Sequence, residues 1–108
     1  MDKTLNLLGL CRRAGKLVMG NDMVQEEVRA GRASLVIMTA DISKNTAKKQ
    51  TAVCSEHGVL TLRLNRSREE LGCAVGKFCA VVAVCDRGFA EKLTELIKLE
   101  NQEENVYD

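Results

Sequence analysis

The side chains of this chain that are best suited to chemistry are cations grouped along its first two thirds. One group lies at residues 43–49, Ser-Lys-Asn-Thr-Ala-Lys-Lys, where Lys44 and Lys48 share one face of a predicted helix. A second group flanks Ser67. It consists of Arg63, Arg66 and Arg68. Such side chains suit phosphate groups because they neutralise charge and release counterions. A single cluster is more often a solvated face, but several on successive elements favour a polyanion such as RNA.

A third segment, Gly-Lys-Leu-Val-Met-Gly-Asn-Asp at residues 15–22, adds a backbone feature to these charges. A glycine lets the backbone approach a ligand closely. A helix capped by Asn21 or Asp22 would then present free N–H groups to phosphates or base edges. The simpler interpretation is a capped turn between a strand and a helix.

Charge is distributed unevenly along the chain. Residues 1–68 carry twelve Lys or Arg against six Asp or Glu, whereas residues 69–108 carry four against nine. The formal net charge of +1 therefore combines a basic body with an acidic end. This asymmetry favours nucleic acid as the partner of the basic part, the alternative being an ordinary solvated surface.

The cysteines and the histidine do not form a catalytic or metal-binding set. The five cysteines are odd in number and contain no C-x-x-C pair, which argues against zinc knuckles and thioredoxin-type motifs. Buried free thiols are expected, with Cys79 and Cys85 facing the same side of a buried strand. His57 precedes Gly58 at a predicted helix end and has no paired base or ligand set. Neither a metal nor a cofactor is expected.

Other motifs fall short of those that enzymes use. The sequence Gly72-x-x-x-Gly76-Lys77 is one residue short of a phosphate loop and continues with Phe78, so it predicts a glycine turn between a helix and a strand. Carboxylates adjacent in sequence diverge on a helix and are expected to be solvated. Aromatic residues are only 3% of the chain, which disfavours base recognition by stacking. Phe78 and Phe89 are expected in the core.

The length and the apolar pattern predict one domain in the cytoplasm. No apolar run approaches the roughly 20 residues needed to cross a bilayer. The opening residues, Met-Asp-Lys-Thr, are not typical of a signal peptide. Residues 1–100 are expected to form the domain, and residues 101–108 a polar, flexible tail.

Helical and strand patterns alternate along the chain. Helices are predicted over residues 4–14, 21–30, 43–57, 67–73 and 87–99. Strands are predicted over residues 16–19, 34–39, 59–64 and 80–85. Ser43 is expected to cap the third helix, and Ser67 and Glu70 to form a capping box at the fourth. The alternation predicts an α/β fold, a three-layer α/β/α sandwich.

Four segments of the chain follow one another in an order and spacing that are specific in combination. They are Gly-Lys-Leu-Val-x-Gly-Asn-Asp at 15–22, Val-Arg-Ala-Gly-Arg-Ala-Ser-Leu-Val-Ile at 28–37, Asp41 with Lys-Asn-Thr-Ala-Lys-Lys at 44–49, and Ser-x-x-x-Leu-Gly-x-Ala-x-Gly-Lys at 67–77. Together they resemble the kink-turn RNA-binding ribosomal-protein superfamily, and within it the bacterial YlxQ-type branch. The resemblance extends from residue 3 to about residue 98.

The resemblance implies a four-stranded mixed sheet and binding to kinked RNA helices that carry sheared G·A pairs. In the family, a Gly-x-Asn-Glu-x-x-Lys element at the start of the second helix reads the guanines, and the loop after the third strand covers an extruded nucleotide. Here the element falls on Gly20, Asp22, Met23 and Glu26. Asp22 thus replaces the Asn, Met23 the Glu and Glu26 the Lys. A carboxylate in place of an ammonium turns phosphate attraction into repulsion.

The sequence therefore predicts a non-catalytic, ribosome-associated RNA-binding protein, with ribosomal proteins as candidates for a second partner. A protein–protein adaptor on the same fold is the alternative, and a stand-alone module that recruits RNA for modification is the third hypothesis. The candidate RNA-contacting residues are Lys16, Gly20, Asn21, Asp22, Glu26, Arg29, Lys44, Asn45, Lys48, Lys49, Asn65, Arg66 and Ser67.

Overall fold

The alternating patterns of the sequence become five helices and four strands in the computed structural model, which describes residues 2–105. The helices are α1 (Lys3–Arg13), α2 (Asn21–Arg29), α3 (Lys44–Glu56), α4 (Arg68–Val75) and α5 (Arg87–Asn105). The strands are β1 (Leu17–Met19), β2 (Leu35–Thr39), β3 (Leu60–Leu64) and β4 (Val81–Val84). The predicted bounds agree within two residues except at the end of α5. That helix continues to Asn105, into the segment predicted as a tail.

The four strands form one mixed sheet in the order β1-β4-β2-β3. β4 pairs antiparallel with both β1 and β2, and β2 pairs parallel with β3. β1, β2 and β3 therefore run in one direction and β4 runs in the other. The register places Met19 opposite Val82 and Thr39 opposite Leu64, so the ends of β1, β2 and β3 meet at one edge.

The two central strands, β2 and β4, are buried along their whole length because helices cover both faces of the sheet. Leu35 and Ile37 pack with α1, α4 and α5, whereas Val36 and Met38 pack with α2 and α3. The three-layer α/β/α sandwich is thereby confirmed. None of the helices within residues 2–105 is long and apolar enough to cross a membrane.

Helix ends follow the predicted caps at two of three positions. The Ser43 hydroxyl accepts from the Thr46 N–H at 3.2 Å, and Ser67 forms the capping box with Glu70. At α2, however, the prediction of Asn21 or Asp22 as the cap is wrong. Gly20 takes that position with a φ of 99°, a value that favours glycine, and the helix starts at Asn21 without a side-chain cap.

Two expectations about the core are also wrong. Phe78 is 66% exposed, because it follows the left-handed Gly76 in a turn outside the sheet, whereas Phe89 packs against the core. Cys79 and Cys85 both lie just outside β4, so the alternation of a regular strand does not govern them. Cys79 joins the α1, α4 and α5 layer, and Cys85 packs against the other.

Candidate nucleic-acid interface

The strand directions bring four segments together at one edge of the sheet. The Gly20 N–H donates to the Val81 carbonyl at 3.1 Å, the Thr39 N–H to the Ala80 carbonyl at 2.9 Å, and the Ala40 N–H to the Arg66 carbonyl at 2.9 Å. These bonds join the segments that follow β1, β2 and β3 to the start of β4. We call this region the carboxyl edge. It comprises residues 20–23, 40–45, 65–68 and 76–80.

The start of α2 presents its backbone at the carboxyl edge. The first intrahelical bond runs from the Val24 N–H to the Gly20 carbonyl at 3.0 Å. The N–H groups of Asn21, Asp22 and Met23 precede that bond and have no partner within the helix. All three residues are exposed, so these donors and the positive end of the helix dipole are available to a polar or anionic ligand.

Gln50 fixes the start of α2 from the neighbouring helix. Its side chain is fully buried, and its Nε2 donates to the Asn21 carbonyl at 3.1 Å. Its Oε1 has no hydrogen-bond partner among the described residues. This bond ties α3 to the first residue of α2, which makes the position of that helix end depend on α3. The sequence offered no signal for it beyond a glutamine on the inward face of α3.

A groove lined by basic side chains runs along α3 from the carboxyl edge. Lys44 and Lys48 line it together with Arg63 of β3, the last strand of the sheet. Ile42 and Ala47 form part of its apolar wall. All three cations are exposed. The predicted shared face of the two lysines is thus present. We call this surface, defined by the three cations, the basic groove.

Two other predicted residues of α3 differ in their relation to this groove. Asn45 lines it next to Lys44. Lys49 is exposed but does not line it, because one residue along a helix rotates the side chain by about 100°.

The loops after β2 and β3 are tied to each other. The Arg68 N–H donates to Oδ1 of Asp41 at 3.0 Å, and its Nη2 donates to the Asp41 carbonyl at 2.9 Å. Asn65 is exposed, and its backbone carbonyl accepts from Nη1 of Arg66 at 2.9 Å. Ser67 is partly buried and engaged in the capping box. Hydrogen bonds on either side of residues 65–67 therefore restrain this loop.

Arg66 is engaged by carboxylates within the protein. Its Nε donates to Oδ2 of Asp2 at 2.7 Å, and its Nη2 donates to Oε1 of Glu100 at 3.0 Å. The hydrogen bond from Arg66 lowers the pKa of Asp2 below its usual range. With 18% of its side chain exposed, Arg66 fixes the loop after β3, and we leave it out of the proposed RNA-contacting set.

Lys16 and Arg29 lie away from the carboxyl edge. Lys16 precedes β1, and its carbonyl accepts from the Cys85 N–H at 2.8 Å, past the far end of β4. Arg29 is the last residue of α2, which runs about 12 Å from its start at the edge. The structure therefore does not bring these two cations together with the predicted residues at the carboxyl edge.

The helix that presents its start at the edge also carries carboxylates. Asp22 lies in the first turn of α2, and Glu26 is exposed one turn further along. An acidic residue in the first turn of a helix interacts favourably with the helix dipole, but it repels an approaching phosphate. The mixed charge distinguishes this helix from the basic groove beside it.

Two exposed apolar residues at the edge lay outside the predicted set. Met23 is 51% exposed in the first turn of α2, and Phe78 is 66% exposed in the turn before β4. The glycine turn at Gly76 could have signalled Phe78, since a turn residue outside a strand need not be buried. The family alignment named Met23 but gave it no role.

The described residues do not gather a metal site or an activated thiol. No group of three or more His, Cys, Asp or Glu able to hold a metal occurs within residues 2–105. His57 Nδ1 is 3.0 Å from the Val53 carbonyl, so the ring meets one of the last carbonyls of α3. Burial raises the pKa of the Cys11 thiol to about 11, which disfavours a reactive thiolate.

Comparison with known proteins gives consistent matches. A model of the ribosomal protein L7Ae/L30e/S12e/Gadd45 family matches residues 2–94. The chain is 49% identical over 92 residues to the RNA-binding protein YlxQ of Bacillus subtilis (strain 168), covering 84% of this chain and 91% of that protein. It is 38% identical over 96 residues to the RNA-binding protein YlxQ of Enterococcus faecium, covering 89% and 92%.

Two solved structures share the architecture. A protein of unknown function from Bacillus halodurans C has a TM-score of 0.85 at 36% identity, covering 91% of this chain and 99% of that chain. The 15.5kD RNA-binding protein of Giardia lamblia has a TM-score of 0.75 at 20% identity, covering 88% and 84%. The second likeness is one of fold.

Proposed function

Because the chain belongs to the ribosomal protein L7Ae/L30e/S12e/Gadd45 family, we propose that it is a non-catalytic, ribosome-associated protein that recognises kinked RNA of the kink-turn type. Two relatives are named RNA-binding proteins, and the match with this chain covers more than nine tenths of the length of each. Such a function places the protein in the cytoplasm, with structured RNA as its partner and ribosomal proteins as neighbours.

The observation that carries this proposal is the composition of the carboxyl edge. The edge contains the start of α2, whose first three N–H groups have no partner within the helix, and Lys44, where the basic groove begins. The cations would contact phosphates and set the orientation of the RNA. The helix start and the exposed Asn65 would contact base edges and sugars in the distorted part of the helix.

The replacements in α2 modify this proposal. Asp22 and Glu26 are exposed carboxylates close to where the RNA would approach. They reduce the attraction of phosphate to this helix, so the basic groove contributes a larger share of the binding free energy. We therefore propose weaker recognition at α2 than an amide and an ammonium at these positions would give.

A protein–protein adaptor is the alternative that the same carboxylates favour. RNA titration at two salt concentrations distinguishes the two functions. A kink-turn hairpin is compared with the same hairpin in which Watson–Crick pairs replace the sheared G·A pairs. We expect tighter binding to the first and a steep decrease of affinity with salt. Equal, weak binding to both hairpins, together with salt-insensitive capture of one protein, would overturn the proposal.

A further inference from the structure

The end of the sheet opposite the carboxyl edge brings together segments from both helical layers. The register places Leu17 and Leu35 on either side of Val84, so the starts of β1 and β2 meet the end of β4 there. Helices α1 and α2 both pack against β1 and both end at this side of the sheet. We call this region the amino edge. It comprises residues 12–17, 29–35 and 84–87.

The amino edge carries exposed cations that have no carboxylate partner. They are Arg12 and Arg13 at the end of α1, Lys16 before β1 and Arg29 at the end of α2. None of the four forms an ion pair within the part of the chain whose side chains the structure describes. Three separate segments therefore bring unpaired positive charge to one end of the molecule.

Opposing charge at the amino edge is smaller. Glu27 is already paired, since it accepts from Nε of Arg32 at 2.7 Å. Asp86 accepts from the Phe89 N–H at 2.8 Å, at the positive end of α5. The carboxyl ends of α1 and α2 add about half a negative charge each. Together these charges do not outweigh the four unpaired cations, so the surface attracts a polyanion.

A fifth exposed cation, Arg87, extends this surface toward β3 and a concave region. It lines an open cavity of about 620 Å³ together with His57 and Ser34. Gly31, which follows α2, also lines the cavity, so the cavity adjoins the segment that carries Arg29. Glu91 is the one carboxylate among the lining residues. Hydroxyl and cationic groups of this kind suit the sugars and phosphates of a nucleic-acid backbone.

We propose that the amino edge is a second RNA-binding surface, which contacts the phosphate backbone of a different RNA segment from the one at the carboxyl edge. This inference rests on the proposed function in taking RNA as the partner. Helix α2 separates the two surfaces by about 12 Å, so one protein bridges two segments of a folded RNA. Binding of the first segment raises the effective concentration of the second, so a modest positive charge is sufficient.

A capture experiment tests the bridging. The kink-turn hairpin is immobilised, the protein is bound to it, and a labelled RNA duplex without a kink turn is added at several salt concentrations. We expect the hairpin-bound protein to capture the duplex, with an affinity that decreases with salt. The double variant Lys16→Gln, Arg29→Gln should still bind the hairpin. For the duplex, its slope of log K against log salt should be smaller by about two units.

The double variant Lys3→Gln, Lys98→Gln is the matched control. It removes the same charge from exposed positions near the far ends of α1 and α5, more than about 12 Å along each helix from the amino edge. Its slope for the duplex should equal that of the unmodified protein. Equal losses in the two double variants would overturn the proposal. Capture of polyglutamate in preference to the duplex would also overturn it and would favour an acidic protein as the partner.

The second surface and the proposed function fail in different ways. If the hairpin is preferred over its Watson–Crick counterpart but no duplex is captured, only the second surface fails. If the unmodified protein shows no kink-turn preference, the proposed function fails. The amino edge is then tested by titrating the same variants with the duplex alone. Equal slopes for the unmodified protein and the Lys16→Gln, Arg29→Gln variant would overturn it.

Discussion

Arg66 donates through Nε to Oδ2 of Asp2 at 2.7 Å, which links the loop after β3 to the residue that caps the first helix. The same guanidinium bonds Glu100, whose Oε1 also accepts from the Thr4 hydroxyl at 2.7 Å. The first and last helices are thereby fastened to a loop of the carboxyl edge. This network relates the stability of the fold to the geometry of the candidate site.

Asp2→Asn should make the free energy of unfolding less dependent on pH in the acidic range. Because Arg66 lowers the folded-state pKa of Asp2, its contribution is fully present above the unfolded pKa and is lost as the pH falls through the folded value. We expect a loss of about 1 kcal/mol at neutral pH, which begins to shrink as the pH falls below about 4 and is gone only below the folded-state pKa of Asp2. Urea denaturation of both proteins across this range measures it.

Asp2→Ala provides the comparison for that variant. The Asp2 carboxylate also accepts from the Leu5 N–H at 3.0 Å as the cap of α1, a role that Asn keeps and Ala does not. The Ala variant should therefore lose about 1 kcal/mol more, and that part should persist at low pH. Identical pH profiles for the unmodified protein and Asp2→Asn would contradict the assignment.

Replacing Lys44, Lys48 and Lys49 with Ala should weaken RNA binding and reduce the slope of log K against log salt by roughly two to three units. The first two lysines line the basic groove and Lys49 does not, so the single Lys49→Ala change should have the smallest effect. Lys98→Ala on α5 is the control for the loss of one positive charge. An unchanged slope in the triple variant would remove α3 from the RNA surface.

Glu26→Lys should tighten binding to a kink-turn hairpin, because it replaces repulsion of the phosphate backbone with attraction. Glu26 is exposed, so the gain should be about 1 kcal/mol and decrease with salt. Asp22→Asn should add to it by restoring an amide that both donates and accepts. Thermal stability should change little. Tight binding by the unmodified protein with no effect of Glu26→Lys would show that the alignment of this helix is wrong.

Gly72→Ala should displace the Phe78 ring, since the new methyl group would lie 2.2 Å from Cδ1. We expect a destabilisation of about 1–3 kcal/mol, typical of overpacking. The double variant Gly72→Ala, Phe78→Ala tests the cause. Removing the ring should restore most of the stability, so the two changes should be strongly non-additive in chemical denaturation. Additive losses would contradict the contact.

Cys73 should react with an alkylating reagent far faster than the other cysteines in the native protein. It is exposed on α4, whereas Cys11, Cys54 and Cys79 are buried, and burial raises the pKa of each of these three thiols. Peptide mapping by mass spectrometry at mildly alkaline pH gives the order, with denatured protein as the control. Rapid modification of Cys54 would be inconsistent with the packing of α3. Stoichiometric zinc in the purified protein would contradict the expectation, made from the cysteine spacing, that no metal is bound.

The layers of the fold could be predicted because burial on both faces leaves a strong signal in the sequence. The run at residues 35–39 has no polar alternation, which is typical of a strand covered by helices on both faces. Ser43 and Ser67 marked helix starts because their hydroxyls serve as local acceptors. These features depend on residues that are close in sequence, so they can be recognised from the sequence alone.

The candidate site was less predictable because it depends on contacts between distant residues. Arg66 has the charge of a phosphate ligand, yet partners 64 and 34 residues away occupy it. Lys16 belongs to a suggestive segment, but the direction of β1 carries it to the opposite edge. Phe78 is of a residue type common in cores, yet its ring lies against the backbone of α4 at Gly72 and is 66% exposed.

The place of β4 in the sheet has a consequence for synthesis. β4 is the last strand to be made, yet it separates β1 from β2 and pairs with both. A growing chain that ends before residue 84 therefore lacks the central strand, and β1 has no neighbour to pair with. Such pairing between distant parts of a chain is slow, and here it must wait until β4 has been made. The nascent polypeptide should therefore gain its affinity for RNA in a late step, after β4 has left the exit tunnel.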